Sequence, residues 1–162
     1  VGEHVLRVWE DHGWLRSERT YSDFSLKVEF RFLTEDSDSG VFIRAANDGE
    51  FMRGWPNESY QVQLRNPETE SRFPPVGGLF RHGMPDGAIT FDPAEAARLS
   101  YPTGEWQEIE IDAIGDRLSV KLNGEPLMEA EGIIRPEGYI GFQSEMGGLE
   151  IRWIEIDDLS AS

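Results

Sequence analysis

The side chains best suited to chemistry in this chain sit on short alternating segments rather than in any compact catalytic motif. In Tyr60-Gln61-Val62-Gln63-Leu64, Gln61 and Gln63 occupy the face that Tyr60, Val62 and Leu64 do not use. Arg44 closes the segment 41–45 on the parity of Gly40 and Phe42. Gln143 shares a face with Tyr139 and Gly141, and Glu145 follows two residues later. Amides and guanidinium groups are planar donors and acceptors, and tyrosine adds a ring with a polar tip. Gathered on one surface, they suit a ligand rich in hydroxyl groups. The same residues also read as the ordinary wet side of an antiparallel sheet. Both readings stand at this level.

The remaining candidates are more isolated. His82, between Arg81 and Gly83, lies in the stretch 65–85, whose Pro, Gly and Arg content reads as a long functional loop; a plain surface histidine fits as well. Glu35, Asp36 and Asp38 offer oxygen ligands for a hard cation, but their spacing follows no calcium-loop pattern and also fits a solvated turn. Asn57-Glu58-Ser59 has the form of a glycosylation sequon, a pattern short enough to arise by chance. No G-x-S-x-G, H-E-x-x-H or phosphate-cradling glycine loop occurs. Cysteine is absent, which removes disulfides, thiolate metal sites and cysteine nucleophiles.

Composition narrows the partners. Fifteen Lys and Arg against 31 Asp and Glu leave a formal charge of −16 in 162 residues. Such a field repels phosphate backbones and anionic membrane surfaces, so nucleic acid is a poor partner. Five Trp, four Tyr and nine Phe argue for a packed core despite the charge. No apolar run is long enough to insert in a bilayer. The length suits a single domain spanning 1–162. The chain opens on Val1 with no signal-like stretch, which reads as a processed protein or an excised domain whose targeting information is lost. Oligomeric state is not legible.

The elements that must position these groups are strands. Leu26, Val28, Phe30 and Phe32 alternate with Lys27, Glu29 and Arg31, as in a half-buried antiparallel strand. After an acidic break at 35–40 come strands at 41–45 and 60–64, and a short one at 79–81. Asp92 as cap, Pro93 in the first turn and Glu95 three residues after the cap predict a short helix through 94–99. Gln107, Ile109, Ile111 and Ala113 alternate again, Gly115-Asp116 turns the chain into Leu118, Val120 and Leu122, and Asn123-Gly124 signals a tight hairpin. Strands at 139–143 and 149–156 close the chain, with a bulge near Trp153 where the inward parity shifts. The pattern predicts an all-β fold, a two-sheet antiparallel β-sandwich with one short helix in a long connection.

Several segments together resemble one family. Tyr21-Ser22-Asp23-Phe24-Ser25-Leu26-Lys27-Val28-Glu29-Phe30-Arg31 resembles a Y-x-D-F-x-L-x-x-E-F-R strand, and Asp38-Ser39-Gly40-Val41-Phe42-Ile43-Arg44 is similar to N-S-G-V-F-x-R. Tyr60-Gln61-Val62-Gln63 resembles Y-E-V-Q, Gly104-Glu105-Trp106 with Asn123-Gly124 matches a G-E-W…N-G pair, and Gly141-Phe142-Gln143-Ser144-Glu145 resembles G-L-Q-S-E. These are the motifs of the 3-keto-disaccharide hydrolase domain family, and the resemblance covers about 21–156. It implies a concanavalin-like jelly roll and a hydrolase or lyase acting on sugars oxidised to a ketone at C3. A ketone there acidifies the C2 hydrogen, so a base can remove it and the C1 substituent can leave; water then adds back. Such a site needs a base and an electrophile for the enolate oxygen.

On this resemblance Glu145 is the expected base, Arg44 and Arg81 the expected oxyanion stabilisers, and His82 a lesser acid or base. Gln61, Gln63 and Gln143, with Tyr60, are the expected sugar contacts. A divalent metal held by Glu145, His82 and the acidic loop is expected only if the fold gathers them. The family also implies bacterial export, periplasmic or extracellular. Departures matter: Gln61 stands where many members have Glu, Asp38 where Asn is usual, and Trp153 follows Arg152 in place of Asn. A non-catalytic carbohydrate-binding module on the same scaffold is the main alternative, and an accessory domain of a larger secreted protein a third.

Overall fold

The computed structural model describes residues 4–9, 12–51 and 54–160. The chain forms β1 (Leu6–Val8), β2 (Gly13–Arg16), β3 (Phe24–Phe32), β4 (Asp38–Ala45), β5 (Ser59–Arg65), β6 (Leu79–His82), β7 (Ile89–Phe91), α1 (Pro93–Leu99), β8 (Gln107–Ile114), β9 (Arg117–Leu122), β10 (Glu125–Ala130), β11 (Tyr139–Ser144) and β12 (Leu149–Asp158). They build two antiparallel sheets, one of seven strands in the order β1-β12-β3-β8-β9-β10-β7 and one of five in the order β2-β11-β4-β5-β6. The expected sandwich is what forms.

Alternation decides which side chains meet between the sheets. β3 buries Phe24, Leu26, Val28, Phe30 and Phe32 completely while the residues between them stay half-exposed. Facing them from the smaller sheet are Val41 and Ile43 of β4, Tyr60, Val62 and Leu64 of β5, and Phe142 of β11. Full burial of such side chains contributes about 1.5–3 kcal/mol each. The other face of the five-stranded sheet carries Phe42 and Gln143, and there a second, smaller cluster packs Phe42, Ala45 and Trp55 against Trp14 and Tyr139.

The local signals are realised with small changes. Asp92 caps α1 by accepting a hydrogen bond from Ala94 N at 2.9 Å, and Pro93 is its first residue. Asn123 and Gly124 have φ of 52° and 83°, the left-handed pair that a two-residue hairpin requires, and join β9 to β10. The register of β12 against β3 shifts between Ile151 and Trp153, the predicted bulge. The strands β1, β2, β7 and β10 carry too short or too irregular a pattern to be read in advance. Within the acidic break the strand β4 already begins at Asp38, because Asp38 pairs with Arg65 and Ser39 with Leu64 of β5.

Arg44 departs from the parity expected of it. Its φ of 45° lies in the left-handed region, and the pairing of β11 with β4 shifts register at this point. The bulge turns the guanidinium away from the outer face toward loop segments at the end of β4, where it is 1% exposed. There Nη1 donates to Gly115 O at 2.6 Å and Arg135 O at 3.1 Å, Nε donates to Ser22 O at 3.1 Å, and Nη2 pairs with Asp23 Oδ1 at 3.1 Å. Gly138 lies so close that a Cβ there would strike the Arg44 and Ala45 backbone. Arg44 is therefore a buried tie between loops from both sheets.

Replacing Arg44 with Met removes the donor from several partly buried carbonyls and leaves Asp23 Oδ1 with the Gly115 N–H alone. The expected loss is about 3–5 kcal/mol in urea unfolding. A midpoint unchanged from wild type would contradict this role.

Candidate functional site

The outer face of the five-stranded sheet holds a cavity of about 250 Å³. Its polar part is Asp38 from β4, Gln61 and Gln63 from β5, His82 from β6, and Gln143 and Glu145 at the end of β11. Phe51, Trp55, Phe73 and Phe80 supply aromatic walls. The position follows from period two: Gln61 pairs with Phe42 on one side and Phe80 on the other, and Gly40 pairs with Gln63, so all point away from the core. At the small end of ligand pockets, the space suits one sugar-sized ring.

The amides form a branched chain. Gln61 Nε2 donates to Gln63 Oε1 at 2.8 Å and to Gln143 Oε1 at 2.6 Å, which uses both of its hydrogens. Gln63 Nε2 then donates to Asp38 Oδ1 at 3.1 Å, and Gln143 Nε2 to Glu145 Oε2 at 2.7 Å. The root is His82, whose Nε2 lies 2.7 Å from Gln61 Oε1. An amide oxygen only accepts, so this contact assigns the proton to His82 Nε2. The three glutamines are 2–3% exposed, and every branch ends on a carboxylate.

Gly40 makes the arrangement sterically feasible. A Cβ there would strike Gln61 Nε2 and come within 2.9 Å of Gln143 Oε1. On the wall, the His82 ring stacks on Phe80 with centroids 5.6 Å apart and meets Phe51 at 5.2 Å. Phe73 reaches Phe80 at 6.1 Å. The loop that carries Phe73 is held from beneath by Arg65, which donates to Phe73 O at 3.0 Å and Thr69 O at 2.6 Å.

Desolvation shapes the electrostatics. Burial, and then the nearby Asp38 charge, push Glu145 up to about 7, against the opposing pull of the Gln143 amide. Burial likewise pushes Asp38 up to about 6, with Arg65 opposing. Burial lowers His82, which favours its neutral form. A carboxyl group that changes charge near neutrality is suited to moving protons.

Five of the candidate side chains come together here: Gln61, Gln63, His82, Gln143 and Glu145. Three do not. Arg44 is the buried tie described above. Tyr60 is fully buried on the core face, where its hydroxyl accepts from Ile134 N at 2.9 Å. Arg81 pairs with Tyr60 and so shares its side of the sheet, opposite to His82; its guanidinium donates to Glu131 O at 2.8 Å and Gly132 O at 3.1 Å. Adjacent strand residues cannot both face one cavity, which is why Arg81 and His82 separate. Asp38 was legible as part of an acidic turn and of the family-like segment 38–44; of the aromatic walls, Phe80 comes from β6 and Phe51, Trp55 and Phe73 from segments with no periodic signal. Among the described residues, no group of three or more His, Asp or Glu side chains is gathered as a metal site, and no helix is long and apolar enough to cross a membrane.

The raised carboxyls have a consequence for stability. Their unfolded counterparts ionise first, so the stability they contribute is complete below about pH 4 and is lost as pH rises through the folded values near 6 and 7. Glu145→Gln removes one such loss. The variant is expected to gain stability over wild type at about pH 8 and to show no gain at about pH 4 in urea titrations. A difference independent of pH would contradict the burial of Glu145.

No curated protein matches the sequence. Among solved structures, a candidate glycosyl hydrolase from Parabacteroides distasonis superposes with a TM-score of 0.74 at 18% identity, covering 96% of this chain and 87% of that one. A second candidate glycosyl hydrolase from the same organism gives 0.71 at 16%, covering 96% and 81%. The carbohydrate-binding module CBM66 from Bacillus subtilis gives 0.57 at 10%, covering 94% of each. These likenesses establish the jelly-roll fold. The sequence itself matches the profile of the 3-keto-alpha-glucoside-1,2-lyase-like domain over residues 5–157, a span that takes in β1 and β2 ahead of the motifs read from Tyr21 onward. The chain therefore belongs to the 3-keto-alpha-glucoside-1,2-lyase-like domain family.

Proposed function

We propose that the cavity binds a glycoside carrying a ketone at C3 and cleaves its C1–O bond, with Glu145 as the base that removes the C2 proton. The observation that carries this reading is Glu145 itself: a half-buried carboxyl beside the cavity, held through Oε2 by Gln143, whose burial brings its ionisation close to neutrality. At neutral pH it exists in both forms and can accept a proton and return it.

The remaining groups divide the work by their free hydrogen-bonding capacity. Gln61 has both amide hydrogens and its oxygen committed, so it orients its neighbours rather than gripping sugar. Gln63 and Gln143 each keep one amide hydrogen beyond their bond to a carboxylate, available to a hydroxyl or to charge growing on the C3 oxygen. With Arg44 and Arg81 tied elsewhere, those amide hydrogens replace the expected guanidinium groups. His82 enters as a neutral donor that anchors Gln61. The apolar rings of Phe51, Trp55 and Phe80 cover ring C–H faces and exclude water, which strengthens each polar contact. Sugar-ring contacts of this kind also suit a binding module, the function named for one structural neighbour.

Glu145→Gln is expected to bind a 3-keto glucoside with little change while slowing its cleavage by about 10²-fold or more. In the wild type, kcat/KM is expected to fall on the acid side of neutrality as Glu145 takes up its proton. Undiminished turnover by the variant overturns the assignment. Binding without any turnover by the wild type selects the module reading instead.

A further inference from the structure

The hydrogen-bond tree rooted at Gln61 has two ends of the same kind. One branch stops at Glu145 and the other at Asp38, each through one glutamine, so the cavity presents two carboxyl groups rather than one. Each has one oxygen fixed by an amide hydrogen: Oε2 of Glu145 and Oδ1 of Asp38. The second oxygen of each is left for a ligand. Asp38 is held rigidly at the start of β4, its own N–H donating to Met146 O at 2.8 Å, in the segment that follows Glu145. The two carboxyls thus sit on backbone segments hydrogen-bonded to one another, facing one cavity.

On the reading that this cavity cleaves 3-keto glycosides, we propose that Asp38 is a second catalytic carboxyl, the acid that protonates the departing C1 oxygen while Glu145 takes the C2 proton. The electron count closes. The C2–H pair becomes the C2=C3 bond of an enolate, with charge on the C3 oxygen. As that oxygen re-forms the ketone, a C1=C2 bond forms, the C1–O bond breaks, and its electron pair takes the proton from Asp38. In the hydration step water adds at C1 and loses a proton to the Asp38 carboxylate, while Glu145 returns its proton to C2. Both carboxyls end as they began, and the net change is hydrolysis.

The charged neighbours support this pairing. Two carboxyls in one water-poor cavity resist ionising together, and the Asp38 charge is one of the causes that raise Glu145. Arg65, in register with Asp38 on β5, is the cation facing that end, and Glu145 the facing anion; His82, across Gln61, stays neutral. Arg65 favours ionisation of Asp38, so the reactive arrangement, with the proton on Asp38, is the minor one of two. The apparent ionisations then belong to the pair and not to either residue.

Asp38→Asn keeps the acceptor that Gln63 requires and removes the acid. The test compares two 3-keto glucosides, one with methanol and one with 4-nitrophenol as leaving group. Asp38→Asn is expected to slow the methyl glycoside by about 10²-fold or more and the nitrophenyl glycoside by less than about 10-fold, because a good leaving group needs little protonation. The wild type is expected to show a pH maximum whose alkaline limb disappears in Asp38→Asn. Equal losses on both substrates, or none on either, overturn the acid role while leaving the base assignment standing. A wild type that cleaves neither substrate overturns the parent reading and this one with it.

Discussion

The Gln61 side-chain amide donates both of its hydrogens to other glutamines, and the geometry of the site follows from that commitment. Because Gln63 and Gln143 receive through their oxygens, their nitrogens must turn toward Asp38 and Glu145. The direction of every bond is fixed by the donor inventory of the amide group, not by choice of rotamer. A glutamate at 61 would be acceptor-only when ionised and could not feed either branch. Gln61 is therefore the residue around which the polar half of the cavity is ordered, and Gly40 supplies the space that lets it lie flat on the sheet.

This polar layer is confined to one face because the opposite face is so strictly apolar. β5 is buried at every residue, with Tyr60, Val62 and Leu64 against the larger sheet and Gln61 and Gln63 beneath the cavity walls. Buried polar side chains of this kind are tolerable only when their hydrogen bonds are satisfied. The tree gives each of these amide nitrogens and oxygens a partner, while burial of the same face raises the two carboxyls. Satisfaction of the amides and poising of the acids are two results of one burial.

Arg44 shows the same chemistry used for a different end. Its side chain has the properties that a ligand site needs, yet the bulge in β4 delivers it to main-chain carbonyls of loops at the end of that strand. Arg65 behaves similarly, spending its donors on the carbonyls of the loop that positions Phe73. In both cases guanidinium groups order irregular backbone that lacks strand partners of its own.

Much of this was legible in the residues. Alternation at 26–32 and 107–113, the Asn123-Gly124 turn and the Asp92-Pro93 helix start are local properties, set by backbone sterics and a period of two, and the sandwich follows from them. Period two also placed Gln61, Gln63 and Gln143 on the face opposite the core, and Glu145 beside them. Three things depended on contacts between distant segments. The left-handed turn at Arg44 answers to its pairing with β11, and the choice of His82 over Arg81 for the cavity face to the register of β6 on β5. The partnership of Asp38 with Glu145 is the third, joined through glutamines from two other strands. A sequence states what each side chain can donate or accept and, through its alternation, which face it takes. Which groups then meet is decided by strand register and bulges, and those are set only when the two sheets close over their shared core.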